Sequence, residues 1–262
     1  MKSPLSVAAF QMATSNDVAQ NASKLRVAVD EAADAGAELL VVPECALSGY
    51  PPQKNLDFDA LAGAQTDVTS HAAEKGLWFA LGTTTRRGEQ WFNTALLFSP
   101  EGNLVASYDK TELIEVDRPI FAPGTELPVF RVGEWTLGLQ ICFDMRFPEN
   151  WRILRLQGAQ LILHLSNASG SGGWKVPVLE GTMRCRAAEN GMFVVCANDA
   201  RSPQMLVSAI CDPHGRHLAS AEENREMIIY AQLDRSAVRE DYLKARRTDL
   251  WSRPEFRSLL LE

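Results

Sequence analysis

Short uninterrupted apolar runs recur along the chain, separated by stretches whose hydrophobic period is helical. Leu39-Leu-Val-Val42 and Leu161-Ile-Leu163 show none of the alternation of a half-exposed strand. Each therefore reads as a strand covered on both faces. Leu25, Val29 and Ala32/Ala33 make an apolar stripe at helical spacing that ends at Gly36, and Pro148 opens a second helix that ends at Gly158. Proline suits a first helical turn, where its missing N–H costs nothing, and glycine suits the residue just past a helix. Gly88-Glu-Gln and Ser169-Gly-Ser-Gly-Gly173 read as surface loops, the second able to border a pocket.

The pattern occurs twice. Gly36-Ala-Glu-Leu-Leu-Val-Val is answered by Gly158-Ala-Gln-Leu-Ile-Leu-His, and Gly76-Leu-Trp-Phe-Ala-Leu-Gly by Gly191-Met-Phe-Val-Val-Cys-Ala. Pro100-Glu-Gly-Asn matches Pro213-His-Gly-Arg inside a hairpin, and Val7-Ala-Ala-Phe-Gln11 matches Leu137-Gly-Leu-Gln140. Each half thus runs strand, helix, strand, helix, strand, hairpin, as expected of an internal duplication. Two half-sheets that each need helices on one face and a partner on the other are satisfied as a four-layer α-β-β-α sandwich with pseudo-two-fold symmetry. The expected fold class is α/β, in a single domain over 1–262.

Composition narrows the partners. The 262 residues are 46% hydrophobic and carry a net charge of -7, and the first basic cluster, Lys244-Ala-Arg-Arg247, is short. Neither nucleic acid nor an anionic membrane is expected as a partner. The N-terminus lacks a long apolar signal region, and no apolar run reaches membrane-spanning length. Five cysteines, at 45, 142, 185, 196 and 211, show no Cys-x-x-Cys spacing. That pattern favours neither a disulfide framework nor a zinc ribbon and fits a reducing cytoplasm.

Three apolar runs end on reactive groups. Val-Val-Pro-Glu44 ends on a carboxylate, Ser107-Tyr108-Asp109-Lys110 on an amine, and Leu-Gln-Ile-Cys142 on a thiol just before the helix opened by Pro148. A free cysteine is most often a small buried hydrophobe. Charges placed directly after buried strands, however, need partners, and a carboxylate, an ammonium and a thiol are the parts of a thiol hydrolase.

The settings Val-Val-Pro-Glu44, Tyr-Asp-Lys110 and Gln-Ile-Cys142-Phe-Asp-Met-Arg-Phe-Pro-Glu resemble the three signature blocks of the nitrilase superfamily of carbon–nitrogen hydrolases. The likeness extends to Gln11-Met, Phe-Ala-Pro-Gly124, Arg186-Ala-Ala-Glu-Asn-Gly191 and Asp-Pro-His-Gly215. It implies that Cys142 attacks the substrate carbon, that Glu44 acts as general base and then acid, and that Lys110 and the Phe143 backbone N–H hold the oxyanion. Many relatives carry a second glutamate seven positions before the glycine matching Gly124; here Asp117 stands there, with Glu115 nearby.

Cys142-Phe-Asp resembles the amidase branches rather than true nitrilases, so a small amide or carbamoyl compound is the expected substrate, cleaved through a thioester with release of ammonia. Arg146 resembles a position in branches acting on carboxylate-bearing amides; the alternative is a local pair with Glu149 or another nearby acid. Asn167 and Trp174 are expected near the pocket. No metal and no cofactor is called for. His71, His214 and His217 read as solvated, and His164 as a satisfied core or pocket-edge residue. Cys45 should face away from the site if its strand continues, and Cys185, Cys196 and Cys211 read as structural. The resemblance also implies a homodimer or larger homo-oligomer, to which an apolar C-terminal tail, 245–262, would contribute. An acyl- or amidotransferase using the same thioester, and a catalytically impaired ligand-binding member, remain the competing functions.

Overall fold

The computed structural model describes residues 1–251; most of the expected assembly tail therefore lies outside the described residues. The first half runs β1 (Leu5–Gln11), α1 (Val18–Asp34), β2 (Leu39–Val41), α2 (Phe58–Glu74), β3 (Trp78–Arg87), β4 (Gln90–Phe98) and β5 (Leu104–Asp109). The second runs β6 (Val129–Val132), β7 (Trp135–Ile141), α3 (Pro148–Leu156), β8 (Leu161–Ser166), α4 (Val176–Asn190), β9 (Phe193–Asn198), β10 (Ala209–Cys211) and β11 (His217–Ser220), and β12 (Met227–Leu233) follows.

Two six-stranded sheets result, ordered β12-β1-β2-β3-β4-β5 and β11-β10-β9-β8-β7-β6. Strands β1, β2 and β3 are parallel, as are β7, β8 and β9. The duplication is thus visible strand for strand, with β1 through β5 answering β7 through β11. Two strands absent from the sequence expectation finish the sheets. β6 lies antiparallel to β7, and β12 returns from the second half to lie antiparallel to β1. The first sheet is therefore completed by β12, the last strand among the described residues.

Side-chain alternation explains the continuous apolar runs. Val7, Ala9, Leu39 and Val41 meet Leu137, Leu139, Ile141 and Leu163 between the sheets. The intervening Ala8, Phe10 and Leu40 pack beneath Leu25, Val29 and Ala32 of α1, while Ile162 and Val194 pack beneath Trp151, Leu154 and Met183 of α3 and α4. Both faces are buried, so apolar side chains predominate on each. The four-layer α-β-β-α sandwich is the observed architecture.

The site is set by strand direction. β5 is two antiparallel steps from β3 and so runs the same way, which brings the C-terminal ends of β2, β5 and β7 to one end of the sandwich. A parallel bridge between Met12 and Asp199 joins the two sheets there.

Candidate active site

Each functional side chain stands on a turn that the packing constrains tightly. β2 ends at Val41, and the following turn lies on β3, with Val42 N–H donating to Ala80 O at 3.1 Å and Leu47 N–H to Gly82 O at 3.1 Å. A Cβ on Gly82 would fall 2.1 Å from Pro43 O, so only glycine admits the turn that carries Glu44. Lys110 is held by its N–H to Asn93 O and by Gly124 N–H to its own carbonyl, both at 2.9 Å. A Cβ on Gly124 would meet Asp109 O at 2.2 Å. Cys142 opens a 3-10 turn over Cys142–Arg146, directly after β7, with φ of 43°. A left-handed backbone at a non-glycine residue is uncommon, and it presents the side chain at a sharp strand-to-turn corner.

Asp144 is the buried hub of that turn. Its carboxylate accepts Tyr108 Oη–H at 2.7 Å, Ile141 N–H at 2.8 Å and Glu112 N–H at 2.9 Å. The residue two past the thiol is thereby bonded to both the thiol's strand and the segment after Lys110. Burial pushes its carboxyl up to about 6, against the pull of those donors. Arg186 supports the same turn through Nε–H to Met145 O at 3.0 Å.

Glu44, Lys110 and Asp117 form one buried ion cluster. Lys110 Nζ donates to Glu44 Oε1 and to Asp117 Oδ2, each at 2.7 Å. Asn93 Nδ2 adds a second donor to Glu44 Oε1 at 2.7 Å, and Tyr50 Oη–H donates to Asp117 Oδ1 at 2.6 Å. Among the described residues Glu44 Oε2 has no hydrogen-bond partner, although it is buried. Burial raises the Glu44 carboxyl, with Lys110 opposing the shift. Burial pulls the Lys110 ammonium down, but the neighbouring acidic groups, Glu44 foremost and Asp117 with it, outweigh it and hold the amine well above its ordinary value. The Cys142 thiol is pushed up to about 12, first by burial and then by Glu44, while Lys110 and the Asn167 backbone N–H favour the thiolate. A thiol, an unsatisfied carboxylate oxygen and an ammonium thus share a water-poor corner. Such a site can pass a proton from sulfur to carboxylate and offer a cation to developing negative charge.

Asp117, not Glu115, reaches the lysine: Asp117 is buried, whereas Glu115 is exposed. Phe143 stacks edge-on against Phe147 with centroids 5.3 Å apart. Arg146 is half-buried and makes no hydrogen bond or ion pair among the described residues, so the local pairing with Glu149 does not form. The Asn167 backbone faces Cys142, and its side chain bonds Asp199 Oδ2 at 3.1 Å and Arg201 Nη2 at 2.9 Å. Trp174 is 70% exposed, with Lys175 Nζ 5.6 Å from its ring centroid, and no bond joins it to the ion cluster.

Several expectations need correction. Cys45 sits in a left-handed turn at φ 48°, beyond the end of β2, so strand alternation does not govern it. Its thiol is fully buried against Asn93 Oδ1 at 3.5 Å, and burial drives its ionisation far upward. His71 is buried and bonded to Asp30 at 2.9 Å rather than solvated. Cys185 is exposed, while Cys196 and Cys211 are buried as expected. Sequence reasoning missed Tyr50, Asn93 and the support role of Asp144. Asn93 carried a signal, since it interrupts the apolar run of β4.

Among the described residues no group of three or more His, Cys, Asp or Glu side chains is arranged to hold a metal ion. No described helix is long and apolar enough to cross a membrane.

Comparison with known proteins agrees with the geometry. The family model described as carbon-nitrogen hydrolase matches residues 6–242. The omega-amidase NIT2 of Danio rerio is 28% identical over 94% of this chain and 96% of its own length. A Pseudomonas protegens protein described as a hydrolase in the pqqF 5' region is 34% identical, covering 90% of this chain and 86% of its own. An amidase of the nitrilase superfamily from Nesterenkonia AN1 superposes with a TM-score of 0.83 at 27% identity, over 95% of this chain and 97% of that one. A further structure of that amidase shows covalent addition of the acetamide moiety of fluoroacetamide at its active-site cysteine. With a family model spanning nearly the whole chain and amidases of matching fold, this protein belongs to the carbon–nitrogen hydrolase family, within the nitrilase superfamily.

Proposed function

We propose that the protein is an amidase that cleaves the C–N bond of a small linear amide with a Glu44–Lys110–Cys142 triad. The observation that carries this reading is Glu44: one carboxylate oxygen is held by Lys110 and Asn93, and the other is buried without a partner. A buried acceptor left open in this way is costly unless it has work to do. Glu44 takes the Cys142 proton as sulfur attacks the amide carbon, then returns it to the departing nitrogen as ammonia leaves. Lys110 and the Phe143 N–H hold the tetrahedral oxyanion. The acyl thioester is released by water, with Glu44 again the base.

Asp117 fills the role of the family's second glutamate, supported by its bonds to Lys110 and Tyr50. Asp117→Asn is expected to cost about 1.5 to 3 kcal/mol in kcat/KM, the value of a hydrogen bond to a charged group, whereas Glu115→Gln is silent. Steady-state kinetics on both variants decides between them. Arg146, without a partner among the described residues, supports an amide whose other end carries a carboxylate, because a guanidinium fork suits that group. An omega-amidase among the similar proteins points the same way. The experiment is ammonia release from a panel of ω-amides of dicarboxylic acids, carbamoyl compounds, simple amides and nitriles. Turnover of nitriles alone, or of none, overturns the reading. Transfer of the acyl group to an added amine at the expense of hydrolysis assigns a transferase instead.

We further infer one carbon–nitrogen hydrolase domain over 1–262, acting in a reducing cytoplasm as a homo-oligomer, with the tail 245–262 in the contact. Leu259-Leu-Leu261 supports this, being apolar at the end of a charged segment. Sedimentation is expected to show a dimer or larger species, and truncation before Trp251 to shift it toward monomer.

A further inference from the structure

His164 is fully buried beside the nucleophile, and the mechanism above gives it no task. It lies on β8 in register with Gln140 of β7 and Cys196 of β9, so the three side chains share one face of the sheet. Its Nε2 is 3.2 Å from the Cys142 carbonyl oxygen, and its Nδ1 is 3.2 Å from Cys196 Sγ. A carbonyl only accepts, so Nε2 carries the proton; Nδ1 of the neutral ring then accepts, and the Cys196 S–H donates to it. Burial holds the imidazole neutral, with its titration lowered to about 4, which rules out a charged role at neutral pH. The Trp151 ring, 5.7 Å away at a tilt of 57°, packs against the imidazole.

The Cys142 carbonyl belongs to the same planar unit as the Phe143 N–H. In a trans peptide the two point in opposite directions, so a donor fixed on the oxygen fixes the direction of the N–H. A hydrogen bond to the oxygen also withdraws electron density from the nitrogen, and coupled hydrogen bonds of this kind strengthen one another. We propose that His164 is a positioning residue for the oxyanion site, acting through the Cys142–Phe143 peptide to aim and polarise the Phe143 N–H. Cys196 sets the tautomer that makes this possible. The inference rests on the reading that Cys142 is the nucleophile and that the Phe143 N–H receives the oxyanion.

The test separates oxyanion stabilisation from mere placement of the thiol. His164→Leu removes the Nε2 donor and is expected to lower kcat for the best amide about tenfold, a fraction of the effect of deleting a whole oxyanion donor, with KM little changed. His164→Gln restores a donor near the Nε2 position and recovers most of the loss. Methyl methanethiosulfonate provides the control. Attack by Cys142 sulfur forms an S–S bond, expels methanesulfinate and sends the thiol proton to Glu44, and no carbonyl oxyanion develops. Its rate at Cys142, read by mass spectrometry of that peptide, should therefore stay within about twofold of wild type, since only the oxyanion step is weakened.

If His164→Leu turns over as fast as wild type, or if thiol modification falls in parallel with kcat, the proposal is overturned. Should that variant fail to fold, Cys196→Ala against Cys196→Ser decides the same point: the serine keeps a donor to Nδ1 and holds kcat, while the alanine lowers it. Equal kcat in those two overturns the assignment. The Cys142→Ala enzyme distinguishes the two readings, because its continued turnover sinks the thiol mechanism whereas its inactivity leaves the His164 result to stand alone.

Discussion

Cys142→Ala is expected to abolish amide turnover while leaving circular dichroism and the unfolding midpoint close to wild type. The Cys142 thiol interacts with the Glu44 side chain and with Lys110; Cys45, although adjacent to Glu44 in sequence, is sealed beneath Asn93 and Thr84. With burial pushing the Cys142 thiol up to about 12, the group rests as the neutral thiol at pH 7. Attack therefore needs a base in place, which is the role proposed for Glu44. Glu44→Gln should lower kcat by at least ~10²-fold, the usual scale for a general base. The double variant should be no worse than Cys142→Ala alone, since groups acting on one barrier do not add. Ammonia release near the wild-type rate from the alanine variant would remove the thiol mechanism altogether.

Lys110→Met carries the second large effect, on stability as well as rate. Among the described residues Lys110 is the one cation bonded to either Glu44 or Asp117, and all three side chains are almost fully buried. Removing it strands two carboxylates in a poorly solvated corner. Breaking a buried pair in this way costs about 3 to 5 kcal/mol, and losing an oxyanion contact lowers kcat by ~10²–10³-fold. Urea unfolding and steady-state kinetics measure the two separately. Adding Asp117→Asn to Lys110→Met should recover part of the stability, because one of the stranded charges is gone, without recovering activity. A single variant as stable as wild type would mean that the cluster holds a proton in place of one of its charges.

The fold was largely legible because a strand buried on both faces is apolar at most positions. Leu39–Val42 and Leu161–Leu163 therefore announced themselves, and the glycines at 36, 76, 158 and 191, all at positive φ, marked where each helix hands over to a strand. β6 and β12 were not legible. Both are edge strands with mixed burial, such as Val129 and Phe130 half-buried beside exposed Arg131, and a partner supplied from elsewhere in the chain leaves no local periodicity. His71 was misread for a related reason: its helix says nothing about Asp30, which meets it across α1 and α2.

By itself the sequence determined the layered fold, the duplication and the three groups that end buried strands, because periodicity and the need of buried charges for partners are properties of short segments. Tertiary structure alone decided which carboxylate reaches Lys110, that Arg146 finds no partner among the described residues, that Asp144 ties two loops together, and that His164 lies beneath the Cys142 carbonyl. Those contacts join residues on different turns and strands, from 7 to 36 positions apart. They depend on where parallel strands end relative to one another, a distance of a few ångströms in space that no spacing along the chain encodes.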